Sequence, residues 1–222
     1  MKSTITMGIV LVVLLAFIGT VSAFSNGGFE TPAVSNSQGW DVYADGTSGL
    51  VWHVESGLNS PVGLAPTLEL QKQAAIGLVP DEGLQYAELD SYGNVNITQL
   101  ISTTTGKTYK ISFAQACRSD GGENPSLLGV YWGDTYLGQT SCTQTKTWVD
   151  HSYSPTASST GQVKLMFVDE GASNQIGVLL DNVMVEEENN VPVPEFPSVG
   201  LPVVLIVGML GAVLFIQKSK EN

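Results

Sequence analysis

The stretch Tyr109-Lys110-Ile111-Ser112-Phe113 decides the fold. Tyr109, Ile111 and Phe113 take every second position and Lys110 and Ser112 fill the gaps, so one face is apolar and the other polar. A period of two belongs to a half-buried β-strand; a helix repeats its apolar residues every three to four positions. Val163, Leu165 and Phe167 repeat the pattern with Lys164 opposite. Working outward, residues 50–55 (LVWHVE), 67–71 (TLELQ), 85–89 (QYAEL), 97–102 (ITQLIS), 109–115, 129–132 (GVYW), 163–168 (VKLMFV) and 178–185 (VLLDNVMV) also read as strands. Gly, Pro, Asn and Asp punctuate the runs. Gly133-Asp134 is placed to turn residues 130–132 back into Thr135-Tyr136-Leu137 as a hairpin. Eight or more strands in about 165 residues, with no helix to cover a sheet, must pack sheet on sheet. The expected fold is all-β, a jelly-roll β-sandwich.

The two ends have a different character. Met1-Lys2, an apolar run at 7–18 (MGIVLVVLLAFI) and the small residues Val21-Ser22-Ala23 read as a signal peptide over residues 1–23; the alternative is an uncleaved signal anchor. Residues 24–187 are the domain, and residues 188–197 an acidic, Pro-rich linker. Residues 198–216 (SVGLPVVLIVGMLGAVLFI) carry no charge and are long enough for a transmembrane helix. Residues 217–222, with Lys218 and Lys220, form a short cytoplasmic tail. This organisation puts the domain outside the cell, at the surface.

Charge narrows the partners. The domain holds six basic against eighteen acidic residues, which accounts for the chain's whole net charge of −12. Such a surface repels phosphate backbones, so nucleic acid is excluded as a partner. All four Trp and all seven Tyr fall in the same body, too many aromatics for a disordered segment. The only cysteines, Cys117 and Cys142, lie in polar surroundings on an exported chain and are expected to pair; two buried thiols are the alternative.

Catalytic signals are weak. His53 and His151 sit in no ligand or triad pattern, and the chain has no nucleophile elbow, zinc spacing or phosphate-cradling glycines. A glycosidase needs opposed carboxylates, and Glu69, Glu88 and Asp90 qualify only as acidic residues in strands. Asp181 is more pointed. It shares strand parity with Leu179, Val183 and Val185, which puts a carboxylate on an apolar face, and a buried carboxylate must be paired, coordinated or protonated.

Sugar binding uses aromatic platforms with polar neighbours, and Trp132, Tyr131, Tyr136, Trp52 and Tyr43 are the candidates, with core packing as the competing role of each. Asn96-Ile97-Thr98 is an N-glycosylation sequon on Asn96, inside an expected strand.

Six motifs follow one another in order: Asn26-Gly27-Gly28-Phe29-Glu30, Gly39-Trp40, the run 85–91 (QYAELDS), the run 106–113 (GKTYKISF), Val130-Tyr131-Trp132 and Leu179-Leu180-Asp181-Asn182-Val183. Together they resemble the secreted choice-of-anchor jelly-roll domains, relatives of galactose-binding-like carbohydrate-binding modules, over almost all of the body. That resemblance implies a structural calcium at Glu30 and Asp181; the alternative is Asp181 hydrogen-bonded to backbone amides. The tail, with Pro194-Glu195-Phe196 ahead of the apolar segment, resembles the PEF-CTERM sorting signal of archaeal surface proteins. It implies an archaeal source and an archaeosortase-type enzyme that cuts near the motif. The tail departs from that pattern in its sparse basic end, and the alternative is an ordinary single-pass anchor.

The expectation is a membrane-anchored cell-surface module, not an enzyme, that recognises carbohydrate of the envelope or extracellular matrix. A structural or adhesive envelope protein is the alternative, and a secreted hydrolase ranks last.

Overall fold

Alternation becomes two sheets. The computed structural model describes residues 24–118, 126–142 and 144–188. The signal peptide, Pro194-Glu195-Phe196, the apolar segment 198–216 and the tail lie outside these residues. Among the described residues no helix is long and apolar enough to cross a membrane.

The described residues form eleven strands: β1 (Trp40–Ala44), β2 (His53–Ser56), β3 (Thr67–Gln71), β4 (Tyr86–Glu88), β5 (Val95–Thr103), β6 (Tyr109–Cys117), β7 (Ser126–Trp132), β8 (Thr135–Cys142), β9 (Val149–Tyr153), β10 (Gly161–Asp169) and β11 (Val178–Glu187). One sheet has the order β1-β3-β4-β11-β6-β9, the other β2-β5-β10-β7-β8, and every pairing is antiparallel. Only the connections β3 to β4 and β7 to β8 stay within a sheet; all others cross the sandwich. The last strand ends up inside the six-stranded sheet, between β4 and β6.

The core lies between the sheets. Tyr109, Ile111 and Phe113 of β6 face Leu165 and Phe167 of β10, and Leu128, Val130 and Trp132 of β7 join them. Phe113 meets Phe167 edge-on with centroids 5.1 Å apart. Trp52, just before β2, is 1% exposed. It stacks on Phe29 at 5.5 Å and meets Phe24 and Phe167 edge-on. Burying one such side chain contributes about 1.5–3 kcal/mol.

One element falls outside the expected pattern. The connection from β3 to β4 contains a single helical turn, α1 (Gln73–Ile76), ended by Gly77 at φ 79°, whose N–H returns to Gln73 O. This connection lays Ile76 and Leu78 on the outer face of the six-stranded sheet, against Tyr86, Ala116, Leu179 and Trp148. Trp148 holds it there, donating from Nε1 to Val79 O at 2.8 Å.

Cys117 and Cys142 are bridged, with Cα atoms 5.9 Å apart. The bridge ties the end of β6 in one sheet to the end of β8 in the other.

Candidate functional site

In the five-stranded sheet, residues between the core positions point outward, and strand register aligns them in rows. His53, Thr98, Met166, Tyr131 and Tyr136 form one row across β2, β5, β10, β7 and β8. Glu55, Asn96, Val168, Gly129 and Gln139 form the next. The Tyr131 and Tyr136 rings touch at 4.9 Å, and Tyr136 is 47% exposed.

Glu170 follows β10 and lies over Gly129, where an added Cβ would come within 2.3 Å of its Oε1. Only a residue without a side chain leaves the Glu170 carboxylate that place. Gln139 Nε2 donates to Glu170 Oε2. Burial raises the Tyr136 phenol above its ordinary pKa, and the charge of Glu170 adds to the effect. Beside these residues runs a groove of about 410 Å³, lined by Asn96, Tyr131, Met166 and Glu170 and closed at one side by Ser56 and Leu58. Asn96 Oδ1 is buried with no hydrogen-bond partner. Two rings, two amides and a carboxylate on one face can stack on a sugar's apolar face and pair its hydroxyls.

Of the five expected platform aromatics, only Tyr131 and Tyr136 stand together on this face. Trp52 and Trp132 are core residues, 1% and 5% exposed. The inward parity of Leu128 and Val130 carries Trp132 with it, and Trp52 fills the junction of the sheets, so neither can meet a ligand. Tyr43 is half-buried on the other sheet, packed against the core, with its hydroxyl donating to Ala33 O at 3.1 Å. The sequence reading missed Gln139, Met166 and Glu170, and took Asn96 only as a sequon; an irregularity in register at Val130 and Tyr131 brings Gln139 opposite Gly129, which parity counted from Tyr136 does not reveal.

Asp181 departs from its expected surroundings. A β-bulge lies between Asp181 and Met184, with Asn182 at φ 49°. Val178 and Leu180 face the core before the bulge, Val183 and Val185 after it. Asp181 therefore stands with Leu179 on the outer face, and not with Val183 and Val185. There Oδ2 accepts from Asp81 N at 2.8 Å and Glu82 N at 3.0 Å, and Oδ1 from Asn182 N at 2.7 Å. Glu30 Oε1 accepts from Leu84 N at 2.7 Å and Gln85 N at 3.1 Å. Both carboxylates grip one segment, residues 81–85.

Burial pushes Asp181 up to about 7, against amide hydrogen bonds that pull it down. Among the described residues no group of three or more His, Cys, Asp or Glu is placed to hold a metal ion. Amide hydrogens on both Asp181 oxygens satisfy the carboxylate without a cation.

The remaining polar candidates are spread apart. His53 is exposed, with Nδ1 3.3 Å from Asp45. His151 stacks on Phe113 in β9, and burial lowers its pKa. Glu69 and Glu88 are cross-strand partners on β3 and β4, and Gln71 Nε2 donates to both. They sit side by side and do not flank a cleft as glycosidase carboxylates do.

No protein-family model matches the chain, and no curated relative does. Solved structures resemble it at low identity. The TmCBM61 module in complex with β-1,4-galactotriose is 17% identical, over 75% of this chain and 98% of that one, with a TM-score of 0.43. CBM35 from Paenibacillus barcinonensis is 18% identical, over 66% and 98%, with a TM-score of 0.38. A family 35 carbohydrate binding module from Clostridium thermocellum is 10% identical, over 66% and 90%, also at 0.38. What those modules bind belongs to them; the residues lining this chain's own groove decide what it can hold.

Proposed function

We propose that this chain is a non-catalytic cell-surface module that binds a carbohydrate chain along the outer face of its five-stranded sheet. One observation carries the reading: Asn96, Tyr131 and Glu170 line one groove, and beside it stand the exposed Tyr136, whose ring touches Tyr131, and Gln139, which donates to Glu170. Rings supply a stacking surface, and the amides and carboxylate supply the hydroxyl partners a glycan needs. Screening the protein on an array of envelope and matrix polysaccharides should find a ligand. Tyr136→Ala should then weaken binding by about tenfold or more while leaving thermal stability close to wild type, because an exposed ring carries little folding energy. A protein that binds no glycan, or a Tyr136→Ala variant that binds as well as wild type, removes the groove from the account and leaves the structural envelope role. A glycan attached to Asn96 would fill the same groove, so the binding-competent form carries this sequon unmodified.

The surface address is the second part of the proposal. Residues 1–23 direct export, and Pro194-Glu195-Phe196 ahead of the apolar segment serves as a sorting signal that an archaeosortase-type enzyme exchanges for another anchor. Intact-mass measurement of protein extracted from native membranes should give a chain that starts near Phe24 and ends near Pro194. A mass that runs to Asn222 makes the apolar segment a permanent membrane helix instead.

Calcium at Glu30 and Asp181 competes with the amide-bonded arrangement. With the carboxylates satisfied by residues 81–85, chelator should leave the melting curve unchanged. Asp181→Asn should lower stability by about 1–3 kcal/mol, since it leaves buried amides short of an acceptor. A melting temperature that falls in chelator for wild type but not for Asp181→Asn assigns the site to the metal.

A further inference from the structure

The six-stranded sheet carries a second recess on its own outer face. Its volume is about 250 Å³, the scale of one sugar ring, and its lining includes Trp40, Glu69, Gln71, Tyr92, Arg118 and Gln175. Register sets the floor: Trp40 lies opposite Gln71, and Glu69 opposite Glu88. Behind the floor, Glu88 is fully buried and bonded through both oxygens to Arg118 Nη1, at 2.9 and 2.8 Å.

The hydrogen-bond supply in this recess is one-sided. Gln71 Nε2 spends its donors on Glu69 Oε1 at 2.7 Å and on Glu88 Oε2. Gln71 is 1% exposed, yet its Oε1 has no hydrogen-bond partner. Glu88 is satisfied by Arg118, Gln71 and the Gly177 amide, so the acceptors that call for donors are the Glu69 carboxyl and the orphaned amide oxygen of Gln71. Charge points the same way: Glu88 is already matched by Arg118, which leaves Glu69 as the carboxyl group the recess presents; burial raises the pKa of both, and the charge of Glu69 raises Glu88 further. A matching ligand brings N–H or O–H donors and a positive charge. It also brings a compact body for the Trp40 ring and for Tyr92, which is 50% exposed.

We propose that this recess binds a hexosamine unit with a free amino group, its ammonium directed to Glu69 and Gln71 and its ring held against Trp40 and Tyr92. An ammonium on a ring fits better than one on a linear side chain, because the recess pairs its acidic floor with aromatic walls and the exposed Gln175. The site is separate from the groove on the opposite sheet and does not depend on it.

Isothermal titration of the full-length protein at about pH 6, where an ordinary amine is charged, uses glucosamine oligosaccharide and its N-acetylated counterpart as probes. The amine form should bind, and the N-acetylated form should bind at least about tenfold more weakly, because acetylation removes the charge. Glu69→Gln and Tyr92→Ala should each weaken binding of the amine form by about tenfold. Tyr136→Ala should leave it unchanged, which separates this site from the groove. Tyr92 is exposed, so its variant tests the site even where Glu69→Gln does not fold. Equal binding of both sugar forms, no binding of the amine form, or a lysine peptide binding as tightly as the amino sugar would each overturn the assignment.

Discussion

Trp52→Ala should destabilise the domain by about 3–5 kcal/mol, the range for truncating a large buried aromatic. Three rings surround Trp52: Phe29 stacked at 5.5 Å, with Phe24 at 5.8 Å and Phe167 at 6.1 Å edge-on. Its Nε1 also donates to Asn26 O at 3.0 Å, so truncation opens a cavity and releases the amino-terminal segment together. Against a total stability of about 5–15 kcal/mol the loss is large. In a domain of this size it should lower Tm by roughly 10–15 °C. Urea and thermal unfolding of wild type and variant measure it. A loss under about 1 kcal/mol would mean that the Phe24–Phe29 segment is not part of the cooperative core.

The same residue shows where sequence legibility stops. Strict alternation told which faces of β6 and β10 are buried, because Lys110, Ser112 and Lys164 interrupt the apolar residues on schedule. Parity also separates Tyr131 from Trp132, since neighbours on one strand point to opposite faces. Trp52 had no such frame: it precedes β2, and its burial comes from long-range partners that no local pattern encodes. Asp181 failed for a definite reason, the bulge at Asn182, which flips parity midway along β11. β1 went unread because Trp40-Asp41-Val42-Tyr43-Ala44 alternates only weakly and gains its place by pairing with β3. The recess on the six-stranded sheet was out of reach because Trp40, Glu69 and Tyr92 meet only through sheet register and loop placement.

Stability should also fall as pH rises from about 5 to about 8, the reverse of ordinary acid denaturation. Burial, reinforced by the charge of Glu69 and opposed by Arg118, pushes Glu88 up to about 8. Burial pushes Asp169 up to about 7, against amide hydrogen bonds from Gly171 and Val178. Asp181 is raised to about 7 in the same way. In the unfolded chain these groups titrate near 4. Their folded values are therefore raised, and the folded state keeps protons that the unfolded chain has released. That contribution is complete below the unfolded values and is lost as pH rises through 7 and 8.

One such proton held across two pH units amounts to about 3 kcal/mol. Tm should accordingly be higher at pH 5 than at pH 8 by on the order of 5–10 °C. Glu88→Gln removes one of these groups without altering the acidic surface and should flatten the profile. A Tm that climbs toward pH 8, or a variant as pH-sensitive as wild type, would show that the buried carboxyls stay ionised.

The position of β11 has a mechanical consequence. The strand runs from Val178 to Glu187, paired with β6 along most of its length and with β4 at Leu179 and Leu180, and the chain leaves the sandwich at its far end. Val183 N also bonds Gly27 O, so the amino-terminal segment is laced to the same strand. A pull arriving from the carboxyl end is met lengthwise by a strand paired with β6 as far as Glu187 and held on its other flank at Val183, Leu180 and Leu179, and its hydrogen bonds share the load in shear. An edge strand in that position would peel away one bond after another. Were the chain anchored beyond residue 188 as proposed, the domain would carry tension through this strand without unzipping from its edge.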